Sequence, residues 1–297
     1  MQLRSPSPMK LAPRTHDLHG VPATLFVALA ARALAPVEAP ELGFAEHKAE
    51  QILRSLEIDP RQFGLNANEV RAVVLRSQWF AQTTRRFFER YPEGLCVNLG
   101  CGLNASFEQV AEAGGGRFSW IDLDLPEVIA IRRQFFVETA RRRIMEGDIT
   151  DSSLFRTLPW APGKPALIVA EGLLYYLKPL QVETFLRAQV EAADARRAQI
   201  EIAFDYVSAL GAWIVGRRPA HRQLGTGYAW TLRRPSDLLR IDPRLEVVED
   251  TNVFMRAMGP GARQVNAICR VVTGGQLGGC AHLRRSPSPQ SAPDKKI

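Results

Sequence analysis

Cysteine and histidine are both scarce in this 297-residue chain. The four cysteines (Cys96, Cys101, Cys269, Cys280) form no C-x-x-C pair, and the five histidines (His16, His19, His47, His221, His282) are scattered. That pattern excludes a disulfide scaffold and a metal cluster, and leaves the cysteines as small core residues of a reducing compartment. No run of about 18 apolar residues occurs, so no membrane span is expected. The apolar stretch Val21–Ala31 ends at Arg32, which argues against a signal peptide. A cytoplasmic protein is the expectation. Its 46% apolar and 23% charged content is ordinary for one large core, or one core with a cap.

The net charge of +7 lacks a folded basic groove to go with it. Residues 1–20 carry +2 and residues 273–297 carry +3, so the long middle is left with +2. Both ends contain RSPSP and read as disordered tails, 1–20 and 273–297. Nucleic acid is therefore not an expected partner.

Residues 21–94 read as a helical cap. In NEVRAVVLRSQWFAQTTRRFFERY, Val70, Val73, Val74, Ser77, Phe80 and Ala81 recur at helical spacing. From Leu95 the pattern alternates strand and helix. Strands are expected at Leu95–Gly100, Phe118–Leu123, Arg143–Gly147, Ala166–Ala170 and Ala198–Phe204. Helices are expected at about Ser106–Ala113, Glu127–Thr139 and Leu180–Ala195. Two further strands, Leu245–Glu249 and Ala267–Val272, have no crossover helix between them and read as an antiparallel pair. The expectation is an α/β domain over 95–272, five parallel strands plus that pair. A lid insertion at about 205–243 would cover the strand ends.

The first strand ends in a glycine turn, Gly100-Cys101-Gly102, and the second in Asp122 and Asp124. In a doubly wound sheet those ends lie side by side. A glycine backbone there lets a cofactor approach, and a carboxylate accepts from ribose hydroxyls. The site is thus a nucleoside-cofactor site, and the turn alone fits either NAD or S-adenosylmethionine (AdoMet). An NAD-dependent oxidoreductase would want a Tyr-x-x-x-Lys pair, but Tyr175 and Tyr176 are followed at that spacing by Pro179 and Leu180.

The segments VNLGCGLN (97–104), WIDLDLPEVI (120–129), GDITD (147–151) and AEGLLYYL (170–177) decide it. With the weaker FDY (204–206) and YAWTLRRPSDL (228–238), they make the chain resemble the leucine carboxyl methyltransferase family, in its bacterial polyketide-type O-methyltransferase branch. The resemblance implies a Rossmann-like class I methyltransferase sheet and AdoMet as cofactor. It implies Arg76 on the methionine carboxylate, with Gly100 and Gly102 beneath that moiety. Asp124, with Asp122 as its neighbour, would hold the ribose, Asp148 and Ile149 the adenine, and Glu171 the sulfonium end. The chain departs from the family turn GCGLDTR at Asn104 and Ser106, and has Ala81 where an acid commonly follows the cap arginine. It also has Glu46 in place of an aspartate, and Ala45 in place of a basic residue.

Tyr175, His221 and Trp230 are the candidates for acceptor chemistry. Tyr176 and Tyr228 are candidate walls, and Arg217, Arg218, Arg222, Arg233 and Arg234 candidate anion holders. The expected activity is AdoMet-dependent O-methylation of a small-molecule carboxylate or phenol in secondary metabolism, with no metal. The departures at 104, 106 and 81 motivate one alternative, a catalytically silent AdoMet- or metabolite-binding accessory protein.

Overall fold

Asn66 and Glu69 start the longest helix by satisfying each other's exposed backbone donors. Asn66 Oδ1 accepts from the N–H groups of Asn68 and Glu69 at 3.0 and 3.1 Å, and Glu69 Oε2 accepts from Asn66 N at 3.0 Å. The computed structural model describes residues 24–217, 227–258 and 260–285. In it the cap comprises α1 (Leu25–Glu38), α2 (His47–Ser55) and this helix, α3 (Ala67–Arg90). Ala31, Leu34 and Ala35 of α1 pack on Val70 and Val74 of α3, so small side chains bring the two helices together.

Beyond Tyr91 the chain builds one seven-stranded sheet. Its strands are β1 (Leu95–Leu99), β2 (Ser119–Asp124), β3 (Arg142–Glu146), β4 (Ala166–Ala170), β5 (Ile200–Val207), β6 (Leu245–Thr251) and β7 (Gly278–Arg285), in spatial order β3-β2-β1-β4-β5-β7-β6. The first five are parallel, and β7 runs antiparallel between β5 and β6. Helices α4 (Ser106–Val110), α5 (Pro126–Arg132), α6 (Leu154–Thr157) and α7 (Pro179–Ala195) connect the parallel strands. After β5 come α8 (Ala209–Val215) and, between β6 and β7, α9 (Phe254–Ala257) and α10 (Pro260–Thr273).

Every residue of β1 and β4 is buried, as strands covered on both faces must be. Phe80, Phe87 and Phe88 of α3 pack with Phe118 and Trp120 on one face. On the other, Phe155, Phe185 and Leu186 pack against Ile168 and Ile202. The chain winds outward from β1 to β3 and then restarts at β4 on the other side of β1. The crevice therefore opens above the carboxyl ends of β1 and β4.

Three expectations need correction. Ala267–Val272 is not a strand but the last part of α10, whose Asn266 and Cys269 face inward while Ile268 and Val271 are exposed. The seventh strand is Gly278–Arg285, inside the stretch read as a tail. Its charges hid it, and each is satisfied by a partner. His282 and Arg284 lie 2.8 and 3.1 Å from Glu201, and Arg285 Nε donates to Asp242 at 2.9 Å. Glycine is required at its start, since a Cβ on Gly278 would lie 2.8 Å from the Tyr206 carbonyl oxygen. Finally, the second half of the segment 205–243, expected as a lid, packs into the core. Trp230, Leu232, Leu238 and Ile241 are buried in the core, so that stretch is a packed layer. Residues 1–23, 218–226 and 286–297, and with them most of the tail expectations, lie outside the described residues.

Glu201 is fully buried among Arg90, His282 and Arg284 and ties β5 to β7. Glu201→Ala removes the acceptor shared by His282 and the two arginines and is expected to cost about 3 kcal/mol in urea denaturation. A chain ending at Thr273 loses β7, and with it pairings of β5 and β6. No cooperative thermal transition is expected by circular dichroism.

Candidate active site

The crevice holds a cavity of about 370 Å³ whose wall is drawn from α1, α3 and the ends of β1, β2, β3 and β4. At one end lies the glycine turn. Gly100 and Gly102 have φ of +57° and +49°, a region that disfavours side chains, and a Cβ on Gly100 would meet Leu173 Cδ1 at 2.9 Å. Gly102 N donates to Asp124 Oδ2 at 2.7 Å and Leu125 N to Asp124 Oδ1 at 2.8 Å. Burial pushes the Asp124 carboxyl up to about 6 despite those two donors. From beneath, Arg132 of α5 donates to the carbonyls of Gly102 at 2.8 Å and Asn104 at 3.0 Å, so the turn is braced on both sides.

Asp122 does not reach the cavity, which corrects its expected place beside the ribose. It is fully buried, and accepts from Trp120 Nε1 at 2.8 Å, Asn98 Nδ2 at 2.9 Å and Arg142 Nε at 2.7 Å, with Arg132 at 3.0 Å. Burial alone would raise its pKa. Arg132 and Arg142 outweigh burial and hold the group below the ordinary aspartate value. Its lone pairs are taken, so it is a brace for the turn.

Asn104 joins that brace. Its Oδ1 accepts from Asn98 Nδ2 at 3.3 Å and from Ser106 N at 3.4 Å, at the start of α4. Ala81 is buried in the core.

Asp148 and Ile149 follow β3 on the cavity wall. Asp148 is exposed, and its Oδ1 accepts from Thr150 N and Oγ1, both at 2.8 Å. Ile149 is buried, an apolar edge beside an acceptor.

At the other end Glu171, after β4, gathers charge. Arg32 Nη2 at 2.8 Å, Ser77 Oγ at 3.0 Å and Arg76 Nε at 3.2 Å all donate to its Oε1. Glu171 Oε2 has no partner among the described residues, in a side chain only 4% exposed on the cavity wall. Burial opposes its ionisation, but Arg32 and Arg76 prevail and keep it below the usual glutamate value. Arg76 Nη1 donates to Asp205 Oδ2 at 3.1 Å and to the Tyr175 hydroxyl at 3.2 Å, while Asp205 Oδ1 accepts from Gly172 N at 2.7 Å. Behind Arg32, at 3.9 Å, lies Glu46, whose carboxyl burial pushes up.

Arg32, Ser77 and Asp205 were missed as site residues. The sequence signal for Arg32 was a lone charge within LFVALAARALAPV, since a buried charge must be paired.

Beyond Glu171 the wall is aromatic. Tyr175 lies 4.8 Å from Tyr176 and 4.7 Å from Tyr228, ring centre to ring centre. Ala229 N donates to the Tyr175 carbonyl at 2.8 Å, which holds Tyr228 against the pair. Trp230 is not on this wall. It is buried against Phe204 in the core, which corrects its placement as an acceptor residue. Arg233 and Arg234 are on the surface, paired with Asp237, and Arg217 stacks on Trp213. His221, Arg218 and Arg222 lie outside the described residues.

This donor set fits the cofactor that the resemblance implies. Asp124 can take ribose hydroxyls, Asp148 and Ile149 an adenine, the free oxygen of Glu171 a cationic group, and the arginines a carboxylate.

Comparison with known proteins agrees. The sequence profile of the family described as leucine carboxyl methyltransferase matches residues 24–190. The tetracenomycin polyketide synthesis O-methyltransferase TcmP of Streptomyces glaucescens is 28% identical over 252 residues, 84% of this chain and 90% of that one. The S-adenosyl-L-methionine-dependent methyltransferase dpfgK of Gibberella zeae is 28% identical over 185 residues, and the chain spans 61% of it. Among solved structures, a methyltransferase-fold protein from Thermobifida fusca superposes with a TM-score of 0.54 at 18% identity, covering 94% of this chain and 99% of that one. A DUF574 family protein from Streptomyces avermitilis gives 0.52 at 13% identity, covering 87% and 97%. The chain belongs to the leucine carboxyl methyltransferase family, and is a class I methyltransferase that uses AdoMet.

Proposed function

We propose that the protein is an O-methyltransferase whose acceptor is a small aromatic molecule bearing a carboxylate or phenol, in polyketide-type secondary metabolism. The observation that carries this reading is the lining of the cavity above β1 and β4. Paired charges at Glu171 give way directly to the three-tyrosine wall of Tyr175, Tyr176 and Tyr228. A flat acceptor can stack on that aromatic wall. The polyketide relative TcmP, 28% identical, supports the same acceptor class. When bound, AdoMet supplies the electrophilic methyl group.

The chain's own contribution is positional. Burial pushes the Tyr175 hydroxyl well above its ordinary range and Tyr176 upward, so both stay protonated at neutral pH. Glu171 is held ionised by its arginines and makes a weak base. This wall suits an acceptor that arrives already ionised, as a carboxylate does, and rate then comes from holding the reactants in contact.

Incubation with methyl-labelled AdoMet and a panel of aromatic acids and phenols tests the reading, with mass spectrometry of the product. A methyl ester or aryl methyl ether is the expected result. Binding of S-adenosylhomocysteine without transfer to any member would favour the silent accessory protein instead. Tyr228→Ala is expected to raise the acceptor KM about tenfold, the value of one aromatic contact, with S-adenosylhomocysteine affinity unchanged.

The pH dependence of cofactor binding has a definite sign. An acid with a raised pKa is half protonated near pH 6 in the free protein, and hydroxyl donors favour its ionised form. S-Adenosylhomocysteine affinity should therefore fall below pH 6, with proton release on binding near that pH. Calorimetry in buffers of different ionisation enthalpy measures the release, which Asp124→Asn should abolish.

A further inference from the structure

Helix α8 reads ALGAWIV and has no polar side chain, yet its only buried residue is Gly211. Leu210 and Trp213 are exposed, and the Arg217 guanidinium lies over the Trp213 ring at 3.6 Å. A helix that is apolar on every side calls for a cover. Helix α10 poses the same problem. Asn266 and Cys269 turn inward, while Val265, Ile268, Val271 and Val272 are exposed, the last two at 87 and 75%. Both helices are seated on one residue, Leu277. Its N–H donates to Asn266 Oδ1 of α10 at 3.0 Å, and its carbonyl accepts from Ser208 N, just before α8, at 2.9 Å. A Cβ on Gly211 would collide with that carbonyl oxygen, so α8 lies directly on the chain entering β7.

Val265, Ile268 and Val272 are spaced by three and four residues, the pattern of a narrow seam that packs against one other helix. Among the described residues no helix covers it. At about 100° per residue, Arg263 and Arg270 fall on the side of α10 opposite the seam, and neither α8 nor α10 contains an acid. That arrangement selects the partner. A helix lying on an anionic membrane keeps its cations where they reach the headgroups, whereas these point away from the apolar stripe. An acidic protein would find no cation on the seam. A second copy presents the same uncharged stripe, and a two-fold axis lets the stripe meet itself without bringing like charges together. The exposed apolar side chains of the two helices amount to roughly 400 Å², at the upper end of what monomers leave bare and about half of one side of a standard interface.

We propose that α10 pairs with α10 of a second copy of this chain, about a two-fold axis at Ile268, and that Leu210 and Trp213 of α8 extend the contact. Val265 and Val272 flank the axis along the seam. None of these residues lines the cavity, so the pairing stands apart from the cofactor reading.

Sedimentation velocity of the full-length protein tests the pairing, from about 1 to about 100 μM, the range suited to a contact of this size. The wild type should reach twice the chain mass at the top of that range. Ile268→Asp and Val272→Asp should each raise the dissociation constant at least about thirtyfold, the cost of losing a residue central to an interface. Their thermal midpoints should not fall, since both side chains are exposed in the single chain. Val137→Asp, at an equally exposed valine before β3, should change nothing. Ile268→Cys should form an intermolecular disulfide with itself under copper phenanthroline, and Arg270→Cys on the opposite side should not. A wild type that stays monomeric throughout would overturn the pairing, and its capture by phosphatidylserine vesicles would assign the face to lipid instead. A dimer that survives both aspartate substitutions, or that cross-links through Arg270→Cys and not Ile268→Cys, would overturn the seam.

Discussion

Arg32, Arg76 and Ser77 all donate to a single oxygen of Glu171, and much of the site's architecture depends on that convergence. The donors come from α1 and α3 of the cap, while the acceptor ends β4 of the sheet. Asp205 at β5 closes the ring by taking Arg76 and the N–H of Gly172. Cap and sheet are therefore joined by charge at the cavity wall and by apolar packing elsewhere. A glutamate buried this deeply would be costly without partners, and here desolvation is offset by two guanidinium groups. Concentrating the donors on Oε1 leaves Oε2 facing the cavity, so one arrangement holds the fold together and leaves an acceptor for a ligand.

The same logic separates two aspartates on one strand. Asp122 and Asp124 are two residues apart and project to the same side of β2. Asp122 lies inside the sheet, where Arg132, Arg142, Trp120 and Asn98 use its lone pairs and lower its pKa. Asp124 stands at the strand end with only backbone donors, and its pKa rises to about 6. One is spent on bracing the glycine turn and the other stays available. Their separation of roles comes from where the partners lie, since the side chains are identical.

That difference marks the limit of what the sequence discloses. The alternation of apolar strands and helices from Leu95 made the parallel sheet legible, because periodicity is local. VNLGCGLN and WIDLDLP made the cofactor corner legible, because glycine and acid at strand ends have a local reason. The bracing role of Asp122 was not legible, since Arg132 and Arg142 approach from another helix and strand. Strand β7 was misread because His282, Arg284 and Arg285 look solvated until Glu201 and Asp242 are placed opposite them. Trp230 looked like an acceptor residue and Arg32 like an interruption. Each took its role from a fold contact distant in sequence, Phe204 for one and Glu171 for the other.

The departures from the family turn fit this frame. Asn104 accepts from Asn98, which in turn donates to Asp122, so the position extends a hydrogen-bonded brace already carrying one buried negative charge. An acid at 104 would add a second negative charge beside Asp122 and near Asp124, and would need a cation to balance it. The family pattern supplies an arginine two residues on, where this chain has Ser106. This chain has neither the acid nor the arginine, so the local charge balances without them and Asn104 Oδ1 accepts from Ser106 N at the start of α4. The groups that line the cavity, Asp124, Glu171, Arg32 and Arg76, are all present beside this turn. The substitutions at 104 and 106 are therefore a neutral exchange within the brace, and they give no structural reason for the site to have lost its cofactor.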